Sequence, residues 1–568
     1  MKLPARLGFL LLVLVAPLHG DDLKDELRTY KRSVTRPALY IRTLAIEKLA
    51  KTRENAALKL LAKRYKRAEE PSDHVSYLVA GISAEQFTDP EEHGAVWRKW
   101  LSSSKKSKDA WLWFLGQRLR AKWGEGEQVR ADLSAKKTTA FQKAATILAL
   151  GNVAPGEETL ALVPELLSPK ALKRTKPHQR AALQSACAVA LVKSRASLGK
   201  EVFTQAALAV IDQIDDEATH EHSRWVIARH LARALGISKL YLNGEPWRTA
   251  LAASSVKAQQ GEELRPGSTR LRPVELKPGA TIPRFLGIEG TGTRIAFVID
   301  CSDSMLTPLS EAEKEDLKRG PKREVTGSDR SQDKDAPKKG GEEEPEREDP
   351  LSALPWDTIK TRFDAAREAL ILSLESLGPN MDYVVITFGT DAEVLGQGLA
   401  TATDSNRRKT VAALRRMRTL PGDAKRPHGR LQGYTNLHGA LLDAYQVTDQ
   451  SPMVTNEHVD PRGFVQGVDT IFVLSDGAPS WDDFDCVDVN DLDMTSGDPE
   501  SGHQGKKVPT LNFYGPYIFP RHLLRDLVRL NMFRRVEVNC IGIGEANASL
   551  LEGMAKIGGG EFRSISPR

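Results

Sequence analysis

Residues Arg294 to Ser304 read RIAFVIDCSDS. The run from Arg294 to Ile299 is short and apolar, the pattern of a parallel strand buried on both faces. It passes without a break into Asp300-Cys301-Ser302-Asp303-Ser304. In open α/β sheets, ligands bind at the carboxyl ends of strands, which is where this D-x-S-x-S segment falls.

The chain beyond it alternates strand and helix. Phe363 to Leu377 is helical, Tyr383 to Phe388 (YVVITF) a strand, and Arg407 to Arg418 helical. Thr435 opens a helix through Leu441 and Leu442. Thr470 to Leu474 (TIFVL) is a strand, Pro520 to Asn531 a helix, Val536 to Ile543 (VEVNCIGI) a strand and Leu550 to Ile557 a last helix. This order predicts a doubly wound, mostly parallel sheet with helices on both faces over residues 291–568.

Two further segments bear on the first. Gly433-Tyr434-Thr435-Asn436-Leu437 is a turn entering a helix, and Leu474-Ser475-Asp476-Gly477-Ala478-Pro479 ends a strand in an acid. With D-x-S-x-S, a G-x-T-N-L loop and an L-[ST]-D-G-x-P turn in this order, the chain from Arg294 to Ser566 resembles the von Willebrand factor A family. The resemblance implies a Rossmann-like fold and a metal-ion-dependent adhesion site built from Asp300, Ser302, Ser304, Thr435 and Asp476.

The chemistry of these five residues stands beside the resemblance. Hydroxyl and carboxylate oxygens are hard ligands suited to Mg²⁺, Mn²⁺ or Ca²⁺ rather than zinc. Two carboxylates at most leave a divalent ion under-compensated, with a position open to an external carboxylate. The expected partner is therefore a protein presenting an Asp or Glu. Asp303 is a spare acid, expected to face solvent or cap a helix. Cys301 is too soft for Mg²⁺. The acidic run Asp482-Asp483-Phe484-Asp485 and Asp488 to Asp493 fails the EF-hand spacing, with Leu492 where an oxygen is needed, and reads as a solvated loop.

Residues 22–250 lack strand signals. Short amphipathic helices separated by polar turns such as Asp89-Pro90-Glu91 and Pro155-Gly156 predict an all-α solenoid. Ala38 to Tyr65 resembles one HEAT-like helix pair. Trp97, Trp100 and Trp247 are expected to fill helix–helix contacts. Residues 251–290 read as a linker, broken by Pro266, Pro273, Pro278 and Pro283. Residues 307–355 read as a disordered charged insertion. It separates the D-x-S-x-S segment from the next helix, so the two are expected to be loosely coupled.

Lys2 and Arg6 followed by the apolar run Leu7 to Ala16 read as a signal peptide over residues 1–20, which predicts export to a periplasmic, cell-surface or extracellular location. No later segment reads as transmembrane. The 568 residues are 40% hydrophobic and 27% charged with a net charge of +6, basic and acidic residues being mixed throughout. That balance gives no nucleic-acid signature. The four cysteines are too scattered for a disulfide scaffold or zinc module, with one pairing open among Cys301, Cys486 and Cys540.

These features favour a non-enzymatic, cation-dependent binding protein. Two alternatives stay open. One is a Mg²⁺-dependent phosphoryl hydrolase, although Ser302 stands where that chemistry wants a second acid. The other is a helical scaffold with a passive α/β domain.

Overall fold

The computed structural model describes residues 20–64, 74–107, 110–135, 137–260, 271–274, 278–319, 350–417, 431–447, 461–489 and 510–565. Residues 1–19, all but the last of the stretch 1–20 expected to be a signal peptide, lie outside them. Among the described residues, no helix is long and apolar enough to cross a membrane.

Helices that are apolar on every side need cover on every side. Two in the N-terminal half are of this kind: α1 (His74–Gln86) and α2 (Ala110–Lys122) each bury ten of their thirteen residues. Both lie in a row in which Leu39–Lys51, α1, α2, Ala140–Val153, Pro177–Lys193 and α3 (Glu221–Leu235) pack in succession. A second set, including Asn55–Arg64, Pro90–Ser107, Gly126–Ser134, Glu201–Asp215 and Glu245–Gln259, packs against that row. The N-terminal half is thus a two-layered helical array. Trp97 stacks on Trp100 at 4.8 Å, and Trp247 is fully buried, both as packing residues.

The C-terminal part is a six-stranded mixed sheet. Its strands are β1 (Arg294–Asp300), β2 (Asp382–Phe388), β3 (Ala392–Thr401), β4 (Thr470–Ser475), β5 (Glu537–Ile543) and β6 (Phe562–Ile565), in the order β6-β5-β4-β1-β2-β3. Only the β2–β3 pairing is antiparallel. Alternation along β1 feeds two cores. Ile295, Phe297 and Ile299 meet α4 (Glu311–Arg319), α5 (Arg362–Ser376) and α6 (Asp404–Arg416) on one face. Ala296 and Val298 meet α7 (Leu437–Gln446), α8 (Pro520–Leu530) and α9 (Ala548–Gly558) on the other.

The helical row covers its second side with this α/β unit. Phe464, Tyr517, Met532 and Phe533 belong to the same hydrophobic cluster as the helices. The carbonyls of Phe533, Arg534 and Arg535 accept hydrogen bonds from Ser185 Oγ (2.8 Å), His222 Nε2 (2.8 Å) and Arg229 Nη2 (2.9 Å). Arg229 also faces Glu537 at 3.6 Å, both side chains being nearly inaccessible. Glu537 accepts from the backbone and hydroxyl of Thr291 at 2.9 and 2.7 Å.

Three expectations need correction. The segment 251–290 is not simply a linker: the preceding helix runs to Gln259, and Arg284–Phe285 pairs with Ile288–Glu289 in a hairpin. Phe285 there packs edge-on to Phe297 and Phe472, so the hairpin belongs to the α/β core. Prolines stop helices but do not prevent a hairpin.

The insertion over 307–355 is ordered at both ends. α4 buries Leu317 and Glu313, and Leu351 and Leu354 are buried on the return; residues 320–349 lie outside the described residues. Pro308 bridges Thr361, and the Arg362 N–H donates to the Thr307 carbonyl at 3.1 Å. The chain leaves and re-enters at one point, so the helix after the insertion stays tied to the D-x-S-x-S loop.

Among the described residues no disulfide is formed, and Cys187, Cys301 and Cys540 are buried.

Candidate metal centre

Asp300 ends β1 with its side chain fully buried. One carboxylate oxygen accepts from the Ser302 N–H at 2.9 Å and the other from Ser475 Oγ at 2.7 Å. Ser302 Oγ lies 3.1 Å from Ser304 Oγ, and Ser304 Oγ donates to Asp476 Oδ1 at 2.6 Å. Asp476 follows β4, so two neighbouring parallel strands deliver the two acids.

Thr435 arrives on the loop before α7. Its N–H donates to Ser480 Oγ at 2.9 Å, and its carbonyl accepts from the Ser480 N–H at 3.1 Å. A side chain added at Gly477 would sit 3.6 Å from Ser304 Oγ and 3.9 Å from Thr435 Oγ1. Glycine at that position keeps the space in front of the two hydroxyls open. The structure therefore brings all five sequence-derived residues together.

The electrostatics suit a cation. Burial, then the nearby Asp476, pushes the Asp300 carboxyl up to about 7. Burial also raises Asp476, against the opposing pull of Ser304 and Arg362. Two buried acids at one point, neither relaxed to an ordinary carboxylate, lack positive charge. The one guanidinium at this point, Arg362, is shared between Asp476 and the buried Glu313, which leaves the cluster short of positive charge. Oxygen-only donors fit Mg²⁺, Mn²⁺ or Ca²⁺.

Arg362 and Glu313 escaped the sequence reading. Thr361 caps α5 through a reciprocal bond with Asp364, which sets Arg362 at the first helical position. Arg362 Nη1 donates to Asp476 Oδ2 at 3.1 Å, and its Nε to Glu313 Oε1 at 3.2 Å. Gly544, at φ +68°, admits the guanidinium where a β-carbon would overlap it. Ser475 was legible only as part of the turn motif, with no hint that it would bind Asp300.

Asp303 faces solvent as expected, and it also has a partner the sequence did not show. It accepts from the Gly433 N–H at 2.5 Å, tying the D-x-S-x-S loop to the Thr435 loop. The acidic run is not wholly solvated. Asp482 is fully buried and accepts from the Phe484 and Tyr517 N–H groups at 2.9 and 2.8 Å. Asp483 accepts from Asn436 Nδ2 at 2.6 Å. Residues 490–493 lie outside the described residues. Trp481 stacks on Tyr434 at 4.8 Å, a flat aromatic pair flanking Thr435.

A second cluster of metal-competent side chains, His74, His438 and Asp526, is buried where the helical array meets the α/β unit. Asp526 is already held by Arg529 at 2.7 and 3.2 Å, while His438 Nε2 lies 3.0 Å from Asp526 and His74 Nδ1 2.5 Å from the Tyr517 hydroxyl. Burial drives His74 down to about 3, so it is neutral. With its acid already paired to a guanidinium, the triad is hydrogen-bonded into the seam between the two parts.

No family model matches the chain, and no curated protein matches it.

Proposed function

We propose that the α/β unit is a von Willebrand factor A-like domain carrying a metal-ion-dependent adhesion site. In this reading the protein is an exported, non-enzymatic binding protein, its helical half a HEAT-like solenoid. The convergence of Asp300, Ser302, Ser304, Thr435 and Asp476 on one open point carries the proposal. Ser302, Ser304 and Thr435 would ligate the ion as neutral hydroxyls, and the two aspartates would meet part of its charge, Asp476 in competition with Arg362. The ion when bound supplies a vacant electrophilic position for an Asp or Glu of a protein partner. Gly477 holds that approach open, and Ser475 and the Ser302 N–H fix the Asp300 carboxylate. Export rests on the N-terminal pattern of Lys2, Arg6 and Leu7 to Ala16.

The test is calorimetric titration of the protein with Mg²⁺, followed by pull-down from the extracellular fraction with and without EDTA. Ion binding and partner capture should both be lost in Asp300→Ala with the circular dichroism spectrum unchanged. Capture that persists in chelator would overturn the reading.

A further inference from the structure

A cleft of about 220 Å³ opens between the helical array and the α/β unit. Its apolar lining comes from both parts: Trp111, Phe114 and Leu115 on α2, Leu524 and Val528 on α8, and Ile557 on α9. Three arginines and one glutamate also line it. Two of the arginines are spoken for. Arg525 forks onto both oxygens of Glu85 at 2.9 and 2.6 Å, and Arg521 pairs with Glu47 at 2.7 Å.

Arg118 is different. Its guanidinium rests over the Phe114 ring, 5.7 Å from the centroid. Its Nε is buried with no hydrogen-bond partner. The one lining carboxylate, Glu85, is already taken by Arg525. A buried guanidinium N–H without an acceptor is costly, Glu85 acts on Arg118 only through space while bonded to Arg525, and a carboxylate is the partner a planar guanidinium fits best.

We propose that this cleft binds a small amphipathic anion, an aliphatic or aryl carboxylate, with its headgroup on Arg118 and its tail against Phe114, Leu115, Leu524 and Val528. The volume sets the size. It falls below the ~300 Å³ at which drug-sized pockets begin, so it takes a short chain or a single ring. A ligand here touches both halves of the molecule and ties them together. The site is remote from the Asp300 cluster in composition and asks for no metal, so it stands or falls independently of the cation reading.

The test is calorimetric titration of the full chain with octanoate and, in parallel, with octan-1-ol. Octanoate should bind one to one, and octanol about tenfold or more weaker, because only the carboxylate engages the guanidinium. Arg118→Gln should abolish that preference, Arg118→Lys should keep most of it, and Val528→Trp, which fills the cleft, should block both ligands. Unfolding temperatures of the variants, measured alongside, confirm that each is folded. Equal affinity for acid and alcohol, an unchanged octanoate isotherm in folded Arg118→Gln, or no heat up to about 10 mM octanoate would each overturn the proposal.

Discussion

Arg362 donates to Asp476 at 3.1 Å, so a fixed guanidinium already holds one of the two carboxylates that a cation would need. Its other side pairs with Glu313, which α4 buries beside it. The arginine therefore acts as an internal counter-ion, and any divalent ion must bind against its charge. Arg362→Gln is expected to tighten Mg²⁺ binding about tenfold, or ~1.4 kcal/mol. The double variant Arg362→Gln/Glu313→Gln removes the stranded acid and separates this effect from misfolding. Mg²⁺ isotherms on both check it.

Removing the ion should loosen the domain. A ligand that binds only the folded state at about 100 times its Kd adds ~2.7 kcal/mol. Saturating Mg²⁺ is thus expected to raise the unfolding temperature by several degrees, and EDTA to reverse the rise. Asp300→Asn, isosteric and uncharged, should give a protein whose melting curve ignores both. Differential scanning calorimetry reads this directly.

Acidity should act on the same site with a definite sign. The Asp300 carboxyl is raised to about 7 in the ion-free fold, against an ordinary value of 3.8. A group raised on folding stabilises the fold below its unfolded value and loses that contribution as pH climbs through its folded value. In chelator, this contribution should be full near pH 4 and gone above about pH 7. Mg²⁺ competes with that proton, so its affinity should rise over the same interval. Melting temperatures at several pH values, with EDTA or Mg²⁺, should diverge with increasing pH; parallel curves would contradict the assignment.

At the amino ends of the parallel strands, Arg229→Ala leaves Glu537 buried with the Thr291 donors and, at 3.4 Å, the Thr470 hydroxyl. Breaking a buried pair from one side costs about 3–5 kcal/mol. Urea unfolding should show that loss, and Arg229→Lys should recover part of it. Because Arg229 also donates to the Arg535 carbonyl, limited proteolysis of Arg229→Ala should cut first near the α8–β5 turn.

The parts of this fold that were legible share a physical reason. β1, β4 and β5 are buried over all or nearly all of their length, and their apolar stretches, IAFVI and IFVL above all, read as strands. β3 was missed because an edge strand half-open to solvent, with Gly396 and Gly398 in AEVLGQGLAT, carries no such run. The five oxygen donors were legible because three lie within one pentapeptide and the other two sit in short turns at strand or helix ends. Arg362 and Glu313 were not. Each looks like an ordinary residue of a helix start, and their meeting with Asp476 depends on how the insertion closes on itself. The docking of the helical row was equally hidden. Apolar residues on every side of α1 and α2 say that cover exists, not what provides it.

The Phe533–Arg535 carbonyls lie just before β5, while Asp300 and Asp476 lie at the far ends of the parallel strands β1 and β4. A tug on the carboxyl-end loops therefore runs lengthwise down the central strands and into Ser185, His222 and Arg229. Such a load shears many backbone bonds at once instead of peeling them singly. The helical half then serves as the anchorage that takes the strain, and severing it from the sheet would remove the foothold against which anything held at the other end could be pulled.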